Sequence, residues 1–312
     1  MVSAGGCHPP IDHVVCDQAK VRDENGFTGG EMKSKKSDPL TETGNRTERM
    51  PVLFVGHGSP TNAIEDNDFS REWQRVGRTL PRPKAILCIS AHWETWGTLV
   101  TAMDKPRTIH DFGGFPQELY QAQYPAPGSS WLALETKNTV RKTDVSLDKD
   151  WGLDHGCWSV LKHMFPDANV PVVQLSLDYA QPAQYHYDLA KELAPLRQKG
   201  VLIVGSGNMV HNLRLVVFRG DRFDFNEPFG LDWAIETNEL FKKLINENRH
   251  AELADYQSLG RAVQLAVPTP EHYLPMLYAI ALKQDGESVT YFNDKPVAGS
   301  LTMTSLIIDR PA

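Results

Sequence analysis

Four histidines stand where an α/β sheet would deliver side chains into one cleft: His57, His92, His211 and His272. Imidazole is the commonest protein ligand for borderline transition metals. In open α/β sheets, ligands and catalytic groups gather beyond the carboxyl ends of the strands. Three of the four follow short apolar runs that read as strands. Residues 52–55 lead into Gly56-His57-Gly58-Ser59-Pro60, residues 85–91 into His92-Trp93, and residues 201–204 into Gly205-Ser206-Gly207-Asn208, with His211 just beyond. The chemistry this pattern suggests is a mononuclear metal site in an enzyme.

His272 lies in Thr269-Pro270-Glu271-His272-Tyr273. With Thr269 as N-cap and Pro270 as first helical residue, Glu271 and His272 would occupy the first turn of a helix. The helix dipole there disfavours a protonated imidazole and keeps it able to bind metal. His211 could sit on the metal or beside a metal-bound substrate as acid/base. His155, in Asp154-His155-Gly156-Cys157-Trp158, opens a predicted helix. Contact with substrate or bound oxygen and a plain role at the helix start are equally open for it. His163 and His186 lie within amphipathic helices and suit surface or boundary positions; His250, in a charged stretch, suits solvent.

These side chains need a scaffold. From Pro51 onward, short apolar runs alternate with longer helical patterns, which is the signature of an α/β fold. Strands are predicted near 52–55, 85–91, 98–102, 171–177, 201–204, 288–292 and 300–308. Helices are predicted near 67–79, 130–142, 156–164, 182–198, 230–248 and 270–284. No repeat or Pro/Gly linker divides 50–312, so this stretch reads as a single domain with a central, mostly parallel or mixed sheet flanked by helices. The loop from Asp104 to Gly128 holds Ile109-His110-Asp111-Phe112-Gly113-Gly114-Phe115-Pro116. Its aromatic content predicts an ordered loop that covers a pocket, with His110 in a lid, and residues 110–116 and Tyr273 are candidate pocket walls.

Residues 1–49 are rich in Gly, Ser, Thr, Asn, Lys and Asp and show no sustained period, so they read as a disordered extension, with Met50 an alternative natural start. Cys7-His8 and His13 with Cys16 fit no standard zinc spacing, so a flexible tail is preferred to a zinc knuckle.

Of the 312 residues, 41% are hydrophobic and 23% charged, and the net charge is −7. That balance argues against nucleic acid as the main partner. No apolar stretch approaches the ~20 residues that span a bilayer, and no secretory signal pattern opens the chain. Four cysteines, Cys7, Cys16, Cys88 and Cys157, fit a reducing cytoplasm better than a disulfide scaffold. A monomer or small homo-oligomer is expected. Gly205-Ser206-Gly207 lacks the rest of a dinucleotide fingerprint, no P-loop lysine appears, and Gly56-His57-Gly58 is no nucleophile elbow.

Six motifs occur in order: Gly-His-Gly-Ser-Pro at 56–60, Ser-Ala-His-Trp at 90–93, Ile-His-Asp-Phe-Gly-Gly-Phe-Pro at 109–116, Trp-Gly-Leu-Asp-His-Gly at 151–156, Ser-Gly-Asn-Met-Val-His-Asn-Leu at 206–213, and Thr-Pro-Glu-His-Tyr-Leu-Pro at 269–275. Together they resemble the class III extradiol ring-cleaving dioxygenases, built on the catalytic subunit of protocatechuate 4,5-dioxygenase. Within that group they are most similar to the 4,5-DOPA extradiol dioxygenases, which cleave DOPA at the 4,5 position. The resemblance covers nearly all of 51–308. It implies a non-haem Fe(II) held by His57, His92 and one of the Glu271-His272 pair. His272 is favoured, as in the DOPA branch, and Glu271 is the alternative, as in the broader class. His211 falls at the family's acid/base histidine and, in the DOPA branch, also counts as a fourth ligand. His155 matches a position that interacts with substrate or oxygen. The implied partners are O₂ and a catechol such as L-DOPA, opened beside a hydroxyl to a muconic semialdehyde type of product. Zn²⁺ also suits three or four histidines, so the alternative is a zinc-dependent hydrolase of a small carboxylated or amide substrate. A non-catalytic binding protein on the same fold would not need these histidines.

Overall fold

The computed structural model describes residues 49–219 and 224–311. The expected N-terminal extension and its Cys/His pairs lie outside the described residues. Ten strands follow in chain order: β1 (Val52–Gly56), β2 (Ala85–Thr95), β3 (Thr98–Thr101), β4 (Val145–Asp148), β5 (Val172–Asp178), β6 (Val201–Gly207), β7 (Ser288–Phe292), β8 (Pro296–Val297), β9 (Leu301–Thr302) and β10 (Ser305–Asp309). Eight form one sheet in the order β4-β3-β5-β2-β6-β1-β10-β7, and β8 pairs with β9 apart from it. The middle strands β5, β2, β6 and β1 run parallel. Antiparallel pairing appears where β10 meets β1 and β7 and where β3 meets β5. The sheet is mixed, with a parallel centre, as predicted.

Helices cover both faces, so the central strands carry apolar residues throughout. β1, β5 and β6 are buried at every residue. Alternate side chains feed two cores: Val52 and Phe54 join one, Leu53 and Val55 the other. The first core includes the helices Ala183–Glu192, Asp232–Asn246 and Leu274–Ala281. The second includes Asp68–Thr79 and His155–Met164. Asn67 and Ser70 form a capping box that starts Asp68–Thr79. Asp154 caps His155–Met164 by accepting from the Cys157 N–H at 3.1 Å. Among the described residues, no helix is long and apolar enough to cross a membrane.

Several elements depart from expectation. The helix predicted over 182–198 is two, Ala183–Glu192 and Ala194–Gln198, because Pro195 lacks an N–H and its ring crowds the preceding turn. The helix predicted from Pro270 begins at Leu274, with Pro275 in its first turn. Pro270–Tyr273 is a separate turn, and the Thr269 hydroxyl donates to Glu271 Oε1 at 2.9 Å rather than capping a helix. The strand predicted over 300–308 is β9 and β10. Leu301 and Thr302 pair with β8, whereas Ser305–Asp309 pairs with β1 and β7, so the chain turns between them. Strand β4 escaped prediction, being four residues long at the sheet edge.

Candidate metal centre

Strands β1, β6 and β2 are neighbours, so their carboxyl ends converge. Val55 pairs with Ser206, and Ser206 pairs with Ser90. His57 follows β1 directly, and its backbone N–H donates to Gly207 O at 3.1 Å. His92 lies where the β2–β5 ladder slips: Ile89 faces Leu175, and the next pair is Glu94 with Leu177. Such an irregularity re-aims side chains, and here it turns His92 towards the cleft. His211 follows β6 and bridges to Leu301. The turn carrying His272 is laid against the end of β6, where its carbonyl accepts from the Asn208 N–H at 2.9 Å. A Cβ on Gly207 would sit 2.1 Å from that same carbonyl, so only glycine permits this approach. His155 is the first residue of its helix.

All five histidines line one cleft of ≈ 190 Å³, together with Gly58, Ser59, Pro60, Phe115, Leu213, Phe225 and Leu301. His57 Nε2 and His92 Nε2 face each other at 3.1 Å. The His272 ring lies 5.3 Å from His57 and 4.9 Å from His92, centroid to centroid, and stacks on His211 at 3.5 Å. The His155 ring lies 3.9 Å from His92. Possible donor atoms fall into two sets, each within 4.8 Å: His57, His92 and His155, and His211, Glu271 and His272.

The surroundings fix which ring nitrogens are engaged. Ser206 Oγ donates to Gly156 O at 2.5 Å and sits 3.0 Å from His57 Nδ1, so it accepts the Nδ1–H and leaves the Nε2 lone pair facing the cleft. His272 Nδ1 lies 3.3 Å from Glu271 Oε1. Neither ring nitrogen of His211 has a hydrogen-bond partner among the described residues. Asp111 Oδ2 lies 2.9 Å from His155 Nδ1 and 3.6 Å from His92 Nδ1. Burial, then the neighbouring imidazoles, holds His57, His92 and His272 well below the ordinary histidine pKa. Burial and His155 push His211 down to about 4. These four are therefore neutral at pH 7, the form that binds metal.

Deeper support comes from Ser90, Asp154 and Gln174. The Ser90 hydroxyl donates to Asp154 Oδ1 at 2.6 Å, and Gln174 Nε2 donates to Asp154 Oδ2 at 2.7 Å. This network joins β2, β5 and the start of the His155 helix beneath the cleft. Burial, then Asp111, raises the Asp154 carboxyl.

The structure brings together His57, His92, His155, His211 and His272, and Phe115 of the predicted covering loop joins them. Tyr273 does not line the cleft: its ring packs on Phe241 and Tyr256, and its hydroxyl donates to Leu253 O at 2.9 Å. His110 braces the loop instead of facing the cleft, donating from Nε2 to Ala122 O at 2.8 Å. His186, expected at the surface or at a boundary, is fully buried. His250 is half-buried, with Nδ1 3.0 Å from the Tyr187 hydroxyl. Ser206, Asp111, Leu213, Phe225 and Leu301 were not singled out from sequence. Ser206 acquires its role only from the strand order, which sets β6 between β1 and β2.

Comparison with known proteins adds a family. The family model described as the catalytic LigB subunit of aromatic ring-opening dioxygenase matches residues 50–295. The chain is 48% identical over 264 residues to the 4,5-DOPA dioxygenase extradiol of Escherichia coli (strain K12), covering 83% of this chain and 95% of that protein. It is 37% identical over 235 residues to the 4,5-DOPA dioxygenase extradiol of Beta vulgaris, covering 73% and 85%. A crystal structure of an uncharacterized protein from Escherichia coli K12 superposes with a TM-score of 0.72 at 42% identity, covering 84% of this chain and all (100%) of that one.

Proposed function

This chain belongs to the LigB family of aromatic ring-opening dioxygenases, and from that premise we propose that it opens a catechol of the DOPA type by extradiol 4,5-cleavage, with Fe(II) as its working metal. The observation that carries this reading is the His57–His92 pair. A buried imidazole and a half-buried one, both of which resist protonation, set their Nε2 atoms 3.1 Å apart. Two facing lone pairs repel unless a cation or shared proton lies between them. Imidazole–metal bonds of ~2.1 Å let one ion reach both nitrogens.

In this reading His57, His92 and His272 hold the metal, with His211 stacked beside His272 as a further donor. Glu271 supports His272 as a ligand: its Oε1 is occupied by the Thr269 hydroxyl and His272 Nδ1. A bound Fe(II) would supply open positions for a catecholate and O₂. His211, neutral and without a ring-nitrogen partner among the described residues, accepts a proton from a substrate hydroxyl. His155, across the cleft, takes up a proton at Nε2 and returns it as the ring opens. Phe115, Phe225, Leu213 and Leu301 exclude water and offer apolar walls to a flat ring. The cleft is smaller than the ~300–1,000 Å³ of sites for drug-sized ligands, which suits a single-ring molecule. Such walls favour an aromatic substrate over the amide of a zinc hydrolase. Zn²⁺ fits the same donors and would leave the protein inert to O₂. The buried free thiols of Cys88 and Cys157 support a reducing compartment, the cytoplasm.

The test is anaerobic reconstitution with Fe(II), followed by oxygen uptake and absorbance scans with L-DOPA and a panel of catechols, with metal content measured on the same sample. Stoichiometric uptake with a new yellow chromophore is expected. No uptake by any catechol at confirmed iron occupancy overturns the reading.

A further inference from the structure

Among the described residues, Asp111 is the carboxylate that reaches two cleft histidines, yet it does not itself line the cleft. Its Oδ1 accepts the backbone N–H of His155 at 2.8 Å, and its Oδ2 accepts the His155 Nδ1–H at 2.9 Å. That double grip ties the ring to the backbone of the same residue, at the first position of its helix. A half-turn of the imidazole would put Cδ2–H against the carboxylate and lose the second bond. The loop on both sides of Asp111 is fastened to the same piece of chain. The Ile109 N–H donates to Leu153 O at 2.7 Å, and Trp158 Nε1 donates to Ile109 O at 2.8 Å. Thr108 bridges to Leu153 as well. The segment from 108 to 111 and the start of the His155 helix therefore form one braced unit.

We propose that Asp111 is the positioning residue for His155: it fixes the Nδ1–H tautomer and aims Nε2 into the cleft as a proton-transfer group, not as a metal ligand. The inference deepens the dioxygenase reading and rests on it for the word proton-transfer alone. His92 contributes the contrast. Its Nδ1 is 3.6 Å from the same Oδ2, too long for a hydrogen bond, so the carboxylate is committed to His155. Asparagine is the informative substitution because it keeps the shape of aspartate and replaces one acceptor by an NH₂ donor. One of the two His155 N–H groups then loses its acceptor, and an NH₂ facing Nδ1 selects the Nε2–H tautomer.

The experiment compares wild type, Asp111→Asn and Asp111→Glu in three readouts: iron content after Fe(II) loading, kcat and KM with the best catechol, and ¹⁵N–¹H spectra of histidine-labelled metal-free protein. Asp111→Asn is expected to bind iron normally, to lose about 100-fold in kcat with KM within about twofold, and to move the His155 resonances from the Nδ1–H to the Nε2–H pattern. Asp111→Glu, which keeps both acceptors, should recover part of kcat and keep the Nδ1–H pattern. An unchanged His155 tautomer in Asp111→Asn overturns the proposal. So does a loss of iron affinity with normal turnover per bound iron, which would mean that Asp111 supports a ligand. If no catechol is turned over even by wild type, the activity reading fails, while the tautomer and iron measurements still decide the role of Asp111.

Discussion

Two groups of buried histidine occupy this molecule, and the helix Leu274–Ala281 adjoins both. His272 lies just ahead of that helix in the cleft; Tyr278, within it, faces His186 of Ala183–Glu192. Burial pushes His186 down to about 4, just as it does His211. Burial and neutrality therefore do not separate a functional histidine from a structural one. The ring nitrogens do. His186 Nδ1 meets the Tyr278 hydroxyl at 3.0 Å, and its Nε2 meets Asp178 O at 3.2 Å, so both are satisfied by protein. In the cleft, His57 Nε2 and His92 Nε2 have only each other, at 3.1 Å, and His211 has no ring-nitrogen partner among the described residues. Imidazole nitrogens left open in this way can take a metal ion as their partner.

The sharpest way to break this contrast is to delete one member of each group. His57→Ala should abolish stoichiometric metal binding and with it the metal-dependent rise in thermal stability. That rise is expected to be about 2.7 kcal/mol at a metal concentration 100 times Kd. His186→Ala should bind metal as wild type does and lose about 2–4 kcal/mol of stability, because it leaves a cavity and strands the Tyr278 hydroxyl and the Asp178 carbonyl. Metal analysis and thermal melts with and without metal read both effects. Normal occupancy in the His57→Ala protein would remove His57 from the ligand set. Within the cleft, His155→Ala should keep its metal and lose roughly 10²–10⁴-fold in turnover, the usual contribution of a positioned acid/base. Steady-state kinetics on metal-quantified samples checks this.

Acid should act on both groups with the same sign. An unfolded histidine takes up its proton as pH falls through ~6.5, whereas folded His186 and His211 resist until about pH 4. Their contribution is thus fully present above pH 6.5 and is lost as pH falls towards 4. For His186 alone the change is on the order of 3 kcal/mol across that window. Urea melts of metal-free protein from pH 7 to pH 4 should show a smaller loss in His186→Gln than in wild type. Equal losses in the two would mean that His186 is not held neutral in the fold.

How much of this was legible from residues alone follows from what each feature depends on. His57 was legible because it ends an all-apolar run and sits between glycines. His92 was legible by position but not by cause, since the slip between β2 and β5 that frees it is a property of two strands. His272 was named for the wrong reason. It stands in a turn ahead of the helix, and burial with neighbouring imidazoles keeps it neutral rather than a helix terminus. Periodicity placed His186 on a boundary because it cannot foresee that a tyrosine 92 positions away will cover the polar edge of the ring. Ser206 and Asp111 were present in recognisable motifs, but partners that act through space carry no local signature.

Ser206 offers the smallest effect and the finest test of the comparison. It supplies His57 with what Asp178 and Tyr278 supply to His186, an engaged ring nitrogen, but on one side only. Removing its hydroxyl leaves His57 in place, with its backbone N–H still bonded to Gly207 O, and frees the ring to adopt either tautomer. Molecules in the Nε2–H form would present N–H instead of a lone pair to the metal. Ser206→Ala should therefore weaken metal binding by roughly tenfold, the low end of what outer partners of ligating histidines contribute. Metal titration followed by competition with a chelator measures it. A serine whose loss left affinity untouched would mean that packing alone orients His57. The engaged nitrogen would then distinguish structural from functional histidines without helping to hold the metal.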